Sequence, residues 1–252
     1  MRLHFRDVGS GPPVVLLHAF PLTGDMFEPQ WTALSGRARL IVPDLRGFGG
    51  SDTAPSPSEM GAMADDVLGL LDHLGVESAV VGGVSMGGYA SLALLRNDPS
   101  RVRALVLADT QTSADDLTGR EIRERTALEV LAKGSTALLP SMDRLLGSGA
   151  PESLRARVAG WITGGSPEGL AAAQRGMALR PDGRDILARF GGPVLVVVGA
   201  DDVLTPPAKA RAMAGLVPGA ELVEIPGAGH LTNLEQPEAF NAALARFLDR
   251  AA

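Results

Sequence analysis

Short apolar runs bounded by glycine or proline constrain the fold of this chain more than any other feature. The clearest runs are residues 14–17, 78–81 and 194–198. Aliphatic runs of four or five residues are typical of strands buried on both faces, as in a parallel sheet. Weaker runs of the same kind are residues 39–42, 104–108 and 221–225. Residues 3–8 predict an additional, antiparallel strand at the edge of the sheet.

Helical patterns separate the predicted strands. Residues 60–74 place apolar side chains three and four positions apart, and the apolar segment 86–97 ends before Pro99, which stops helices. Segments 207–216 and 237–248 show similar patterns and begin at proline, a favoured first helical residue. Alternation of strands and helices predicts an α/β fold with a mostly parallel, doubly wound sheet.

The alternation stops between residues 111 and 189. This stretch has no convincing strand pattern, and it contains helix-like segments such as 121–133 and 154–163, separated by glycine-rich turns. We therefore predict that residues 111–189 form a helical cap insertion over the carboxyl edge of the sheet. Residues 1–110 and 190–252 would then form the α/β core.

Composition excludes several kinds of site and partner. The formal net charge is −6, which argues against a nucleic-acid-binding protein because such a protein needs a basic face. There is no cysteine, which excludes disulfides, thiolate metal sites and a cysteine nucleophile. Residues 1–11 do not resemble a signal peptide, and the run 14–17 is too short to span a membrane. We expect a cytoplasmic protein; the sequence does not indicate its oligomeric state.

The pentapeptide GVSMG at residues 83–87 matches the pattern G-x-S-x-G. It follows a predicted strand and opens a predicted helix, which is the structural context that this motif requires. Such a sharp turn exposes the serine hydroxyl, and the helix N-terminus supplies free N–H groups and a positive dipole. The pattern predicts that Ser85 is a nucleophile.

Two backbone N–H groups are candidates for an oxyanion hole. Met86 follows the nucleophile directly, and the residue in that position donates its N–H to the developing oxyanion. A second donor is needed from a loop after another strand, and segment 18–21 follows the first predicted buried strand. Within it we expect Phe20 to donate, and we expect His18 to shape the loop rather than transfer protons.

A serine nucleophile needs a base whose pKa lies near the working pH, and histidine meets this need. The chain has four histidines. His4 lies near the N-terminus, His73 lies late in a predicted helix, and His18 was assigned above. His230 lies in a glycine-rich loop between a predicted strand and the last helix, so it is the candidate base.

The base in turn needs a carboxylate that selects its tautomer and stabilises the imidazolium. Asp201 and Asp202 both follow the predicted strand 194–198, and the order Ser, Asp, His is the order found in such enzymes. The residue pattern does not distinguish between these two aspartates. Asp109, after another predicted strand, is a third and less favoured candidate.

Five segments, taken together in their order, resemble the α/β-hydrolase superfamily over nearly the whole chain. They are HAFP at 18–21, PDLRGFGGSD at 43–52, GVSMG at 83–87, GADDVLTP at 199–206 and GAGHLTNLEQPEAF at 227–240. The chain is most similar to the branch of small esterases, 3-oxoadipate enol-lactonases and cofactor-free haloperoxidase-like enzymes. The resemblance implies an α/β-hydrolase fold.

The resemblance also implies roles for individual residues. In the motif G-x-x-D-x-x-T-P the third residue after glycine is the catalytic acid, which selects Asp202. Phe20 and Met86 match the oxyanion-hole donors, although Ala19 stands where the family usually has glycine. Serine at position 85 excludes the aspartate-based chemistry of haloalkane dehalogenases and epoxide hydrolases.

The implied function is hydrolysis of a small carboxylic ester or lactone through an acyl-enzyme on Ser85, without a metal or organic cofactor. A perhydrolase or haloperoxidase-like enzyme and a C–C bond hydrolase would use the same triad. A binding module for small ligands, without catalysis, is an alternative of another class. We expect some apolar residues of the predicted cap to line an apolar acyl pocket, and many of them to pack between helices instead. They are Leu128, Leu131, Leu138, Leu139, Met142, Leu145, Leu146, Trp161 and Met177.

Overall fold

Seven strands form one sheet in the computed structural model, which describes residues 1–53 and 55–251. The strands are β1 (Phe5–Val8), β2 (Pro13–Leu17), β3 (Arg39–Pro43), β4 (Ala79–Val84), β5 (Val102–Ala108), β6 (Val194–Gly199) and β7 (Glu221–Ile225). All neighbouring pairs are parallel except β1 and β3. The predicted, mostly parallel sheet and its antiparallel edge strand are thus confirmed.

Burial explains why the sequences of the central strands are continuous apolar runs. Every residue of β4 and of β6 is buried, whereas four of the five residues of the edge strand β7 are half-buried. A strand covered on both faces has no solvent-facing side and therefore no polar alternation. β4 extends beyond the predicted run because Gly82 and Gly83 pair with Leu16 and Leu17 of β2.

Strand order places a crevice at the carboxyl edge of the sheet. The order is β1-β3-β2-β4-β5-β6-β7, so the chain leaves β2 in one direction and continues from β4 in the other. In open α/β sheets, ligands bind outside the carboxyl ends of the strands at such a switch point. Segment 18–21 follows β2 and Ser85 follows β4, so both lie at this point.

Eleven α-helices lie among the described residues. They are α1 (Glu28–Leu34), α2 (Met60–His73), α3 (Met86–Asn97), α4 (Leu117–Lys133), α5 (Met142–Leu145), α6 (Glu152–Thr163), α7 (Pro167–Ala178), α8 (Arg184–Ala188), α9 (Pro207–Ala214), α10 (Thr232–Glu235) and α11 (Pro237–Ala251). Helix α3 packs on β2, β4 and β5, and α11 packs on β5, β6 and β7. None of the helices described here is long and apolar enough to cross a membrane.

The segment 111–189 joins β5 to β6 and consists of helices α4 to α8, a 3-10 turn and loops, without any strand. Helix α4 begins earlier than the apolar pattern predicts, because the Asp116 carboxylate accepts a hydrogen bond from the Gly119 N–H and caps the helix. Helices α4 and α7 pack closely, and Arg175 pairs with Glu124 across them at 2.7 Å. We refer to residues 111–189 as the cap segment; that it acts as a separate cap remains a prediction.

Candidate active site

The turn between β4 and α3 holds Ser85 in an unusual backbone conformation. Its φ and ψ angles are 54° and −112°, and a positive φ is rare for residues other than glycine. The turn also requires very close backbone contacts. A Cβ atom added to Gly83 would lie 2.1 Å from the carbonyl carbon of Gly87, and one added to Gly87 would lie 1.9 Å from the oxygen of Leu17. Both positions therefore require glycine.

Ser85, His230 and Asp202 form a continuous hydrogen-bonded series. The Ser85 Oγ lies 2.8 Å from His230 Nε2, and His230 Nδ1 lies 2.8 Å from Asp202 Oδ2. His230 and Asp202 are each only 3% exposed, whereas Ser85 is half-buried. Three residues from the ends of β4, β6 and β7 thus meet with the spacing that general-base activation of a hydroxyl requires.

The surroundings of Asp202 keep its carboxylate charged. Its Oδ1 accepts the backbone N–H groups of Leu204 and Thr205 at 2.8 and 2.9 Å, and its Oδ2 accepts the Thr205 hydroxyl at 2.7 Å. Burial by itself would raise the pKa of Asp202, but the hydrogen bonds from His230 and Thr205 hold that pKa below its ordinary value. The neighbouring Asp201 is exposed, and the structure brings only Asp202 to the histidine.

The other histidines lie elsewhere. His18 is fully buried; its Nε2 accepts the Leu45 N–H at 2.9 Å, and its Nδ1 donates to the Ala19 carbonyl at 3.0 Å. Accepting at Nε2 requires a neutral ring, and burial lowers the pKa of His18. His4 pairs with a carboxylate at the edge of the sheet, and His73 is exposed near the end of α2. Among the described residues no group of three or more His, Cys, Asp or Glu side chains is arranged to hold a metal ion.

The two expected oxyanion donors lie beside the serine. Met86 is the first residue of α3, so its N–H has no acceptor within the helix. No backbone carbonyl of the described residues accepts the Phe20 N–H, and Phe20 borders the same cavity as Ser85. Ala19 is fully buried and its N–H points to the sulfur of Met26 at 3.2 Å, so the loop accommodates the alanine.

Asp109 lies in the same region, but its hydrogen bonds go to groups other than the histidine side chain. Its carboxylate accepts the Gly199 N–H at 2.9 Å, the Thr232 N–H at 3.1 Å and the Thr232 hydroxyl at 2.7 Å. It therefore ties the end of β5 to the end of β6 and to the loop that carries His230. The sequence pattern did not reveal this role, because the three segments are far apart in the chain.

The Asp109 carboxyl is expected to make folding stability depend on pH. Burial, together with the nearby Asp202 charge, raises its pKa to about 7. The folded state then binds a proton that the unfolded state has lost, so this contribution is complete below about pH 4 and disappears as the pH rises through about 7. The pKa lies about three units above its ordinary value of 3.8, and each unit corresponds to about 1.4 kcal/mol. The free energy of unfolding therefore falls by roughly 4 kcal/mol over this pH range.

Urea unfolding of wild type and Asp109→Asn across this pH range measures the effect. Asparagine cannot titrate. As the pH rises, the wild type should therefore lose free energy of unfolding relative to the variant. The variant also loses one hydrogen-bond acceptor, which lowers its free energy of unfolding by about 1–3 kcal/mol at every pH. Parallel stability curves for the two proteins would show that Asp109 does not titrate in this range.

A cavity of about 460 Å³ opens onto Ser85 and His230. Its core side includes Phe20 and Tyr89, and its other side is formed by the cap segment. The cap residues on its wall are Gln111, Asp115, Gly119, Ile122, Arg123, Thr126, Leu138, Ser141, Arg144, Leu145, Gln174 and Met177. The volume lies within the range of sites for small organic ligands.

The expectation of an apolar acyl pocket is wrong in part. Leu138, Leu145 and Met177 do line the cavity, but seven of the twelve cap residues on its wall are polar or charged. Leu128 and Leu131 of α4 are instead 54% and 43% exposed. Helical spacing predicts which side chains share a face, but it does not reveal which face of α4 meets the core. The other predicted residues, Leu139, Met142, Leu146 and Trp161, pack against the core or border other regions.

Comparison with known proteins agrees with this geometry. The sequence profile of a family described as "alpha/beta hydrolase fold" matches residues 12–237. A putative carbamate hydrolase RutD of Caulobacter sp. (strain K31) is 33% identical, over 97% of this chain and 95% of that protein.

Two solved structures are similar over almost the whole chain. A thermophilic esterase of Thermogutta terrifontis is 40% identical, with 99% of this chain and 93% of that chain covered and a TM-score of 0.97. The enol-lactonase of Burkholderia xenovorans LB400 is 28% identical, with 98% and 96% covered and a TM-score of 0.92. The predicted resemblance is confirmed: this chain belongs to the α/β-hydrolase fold family and is a hydrolase similar to esterases and enol-lactonases.

Proposed function

We propose that the protein hydrolyses a small carboxylic ester or lactone through an acyl-enzyme on Ser85. The observation that carries this proposal is the hydrogen-bonded series Ser85–His230–Asp202 at the wall of a 460 Å³ cavity. Fold alone does not imply an activity. The series supplies a nucleophile, a base and a charged group that orients the base, which together define acyl-transfer chemistry.

Acylation begins when Ser85 Oγ attacks the carbonyl carbon and His230 Nε2 accepts the serine proton. The Nδ1–H of His230 then donates to Asp202, whose negative charge stabilises the imidazolium. His230 next gives its proton to the leaving alkoxide, and the acyl group stays on Ser85. Asp202 itself does not become protonated, in agreement with its lowered pKa.

The N–H groups of Phe20 and Met86 are proposed to bind the negative oxygen of the tetrahedral intermediate. Backbone donors of this kind need no reorganisation during the reaction. Removal of one such donor typically lowers kcat about 10²–10³-fold. Deacylation repeats the same steps with water. His230 removes a proton from the water molecule, whose oxygen attacks the acyl carbon. His230 then returns the proton to Ser85 Oγ as the bond to the acyl group breaks and the acid product leaves.

The proteins to which this chain is similar support a carbonyl substrate. Their names include a carbamate hydrolase, a methyl ester esterase and enol-lactonases. Carbamates, esters and lactones all present a carbonyl carbon bonded to a leaving group. The same serine chemistry applies to each, and the shape and charge of the cavity determine which is used.

Hydrolysis of p-nitrophenyl acetate, butyrate, octanoate and laurate, measured beside several lactones, tests the proposal. Short acyl chains should be preferred, because the cavity is of moderate size and partly polar. A serine-directed phosphonate should label the protein and abolish turnover. Absence of both labelling and hydrolysis would contradict the proposal and favour a ligand-binding module.

A further inference from the structure

One side of the catalytic cavity carries an excess of positive charge. Arg123, Arg144 and Asp115 line the cavity, and Asp115 is the only carboxylate among its described lining residues. Arg180 lies directly behind Asp115 and is 4% exposed. Three guanidinium groups thus lie on this side of the cavity with one acidic group, although the whole chain has a net charge of −6.

Asp115 is fully engaged by two of these arginines. Its Oδ1 accepts Arg180 Nη2 at 2.7 Å, and its Oδ2 accepts Arg123 Nε. Burial would raise the pKa of Asp115, but the two guanidinium groups hold it below its ordinary value, so the carboxylate stays charged. One negative charge between two positive charges leaves this cluster with a net charge of +1.

Arg123 keeps a donor that the protein does not use. Its Nε bonds to Asp115, and its Nη1 reaches Gln174 Oε1 at 3.1 Å and the Met177 sulfur at 3.4 Å. Its Nη2 has no acceptor among the described residues, and the side chain is 19% exposed at the cavity wall. A mostly buried guanidinium group with one free N–H at the cavity wall is a suitable donor to an anionic ligand.

Arg144 provides the second positive charge. It is exposed at the cavity wall in α5, and it has no acidic partner within 4.0 Å in the described part of the chain. Its neighbour Asp143 pairs with Arg155 at 3.0 Å instead. Together with the cluster around Asp115, Arg144 brings the net charge of the cap side of the cavity to +2.

We propose that Arg144 and Arg123 form a subsite for a carboxylate, so that the substrate is an ester or lactone whose acyl part carries a negative charge. This inference rests on the proposed function and specifies its substrate class. The arginines belong to cap helices, whereas Ser85 and His230 lie at the core edge, so the carboxylate and the reacting carbonyl occupy different parts of one substrate.

The acyl part is the part expected to carry the charge. It occupies the site during both acylation, when it becomes bonded to Ser85, and deacylation, whereas the alcohol of an ester leaves after the first step. A carboxylate on the acyl part therefore contributes binding energy to both chemical steps. Guanidinium groups bind carboxylates with paired, charge-assisted hydrogen bonds, which a neutral methyl group at the same position lacks.

Monomethyl glutarate and methyl pentanoate form a matched pair of substrates, because a carboxylate in the first replaces a methyl group in the second. Methanol release gives kcat/KM for each. Wild type should prefer monomethyl glutarate by about tenfold or more, the value of one charge-assisted hydrogen bond. The preference should shrink when salt is raised from about 20 mM to about 500 mM, since salt screens partly exposed charges.

Arg144→Gln should lower the ratio of kcat/KM for monomethyl glutarate to kcat/KM for methyl pentanoate about tenfold. Arg144→Lys should retain part of the preference. Arg120→Gln is the matched control, because Arg120 is an exposed arginine of α4 outside the cavity, and this variant should behave as wild type with both substrates. Both positions are exposed, so these substitutions remove no buried contact.

The outcomes separate this inference from the proposed function. Hydrolysis of p-nitrophenyl butyrate without any preference for monomethyl glutarate would overturn the carboxylate subsite and leave the serine hydrolase intact. Equal losses for both methyl esters in Arg144→Gln would also overturn it. Absence of hydrolysis of every ester by wild type would instead remove the proposed function on which the inference rests.

Discussion

Replacing Ser85 with alanine is expected to lower kcat for p-nitrophenyl butyrate by about 10⁴-fold or more. The variant keeps the cavity and both proposed oxyanion N–H groups but lacks the oxygen that is proposed to form the acyl-enzyme. Loss of the nucleophile removes the covalent route, and only binding and oxyanion stabilisation remain. The change deletes one hydroxyl group from a half-buried site, so the fold should persist.

Steady-state kinetics of purified Ser85→Ala and wild type measure this effect. Circular dichroism and the thermal midpoint provide the control for folding, and a serine-directed phosphonate should label wild type alone. Activity within about tenfold of wild type, in a folded variant that the phosphonate no longer labels, would show that hydrolysis proceeds without the acyl-enzyme.

Asp202→Asn is expected to lower kcat by about 10³–10⁴-fold through the tautomer of His230. Oδ1 of Asp202 accepts two backbone N–H groups, from Leu204 and Thr205, and an amide nitrogen cannot replace an oxygen there. The asparagine oxygen therefore takes the Oδ1 position, and its NH₂ group faces His230 Nδ1. The histidine must then accept at Nδ1 and carry its proton on Nε2, where it cannot take the proton of Ser85.

Asp201→Asn is the matched control for this prediction. The two aspartates are adjacent, but Asp201 is exposed and the hydrogen bond to His230 Nδ1 is made by Asp202. Its substitution should leave kcat within about twofold of wild type. A comparable loss in both variants, or a larger loss in Asp201→Asn, would mean that Asp202 is not the group that orients the histidine.

The local features of the nucleophile turn were predictable from the sequence. An apolar run, the pentapeptide around Ser85 and the apolar helix after it are adjacent in the chain, and steric limits on neighbouring residues determine their conformation. The buried strands were predictable for a similar reason, since burial on both faces leaves continuous aliphatic runs. Helices α4 and α6 of the cap segment followed from spacing, including their C-terminal ends at Lys133 and Thr163, although their first residues did not.

The two aspartates after β6 show where local reasoning ends. Both residues follow the same strand and have the same chemistry, and only the resemblance to a family favoured Asp202. In the folded chain, the N–H groups of Leu204 and Thr205 turn the Asp202 carboxylate toward His230, while Asp201 faces solvent. A difference of one residue in a loop reverses the direction of the side chain, and only the folded structure reveals that direction.

The sequence by itself determined the buried strands, the strand–turn–helix around Ser85 and the loop that carries His230, because each depends on residues that are close together in the chain. Tertiary structure decided the position of Asp109 between three distant segments and the mixed polarity of the cavity. The physical reason is that hydrogen bonds across the sheet edge, and the face of α4 that meets the core, depend on packing between segments far apart in sequence. Arg123 and Arg144 entered the site only through that packing.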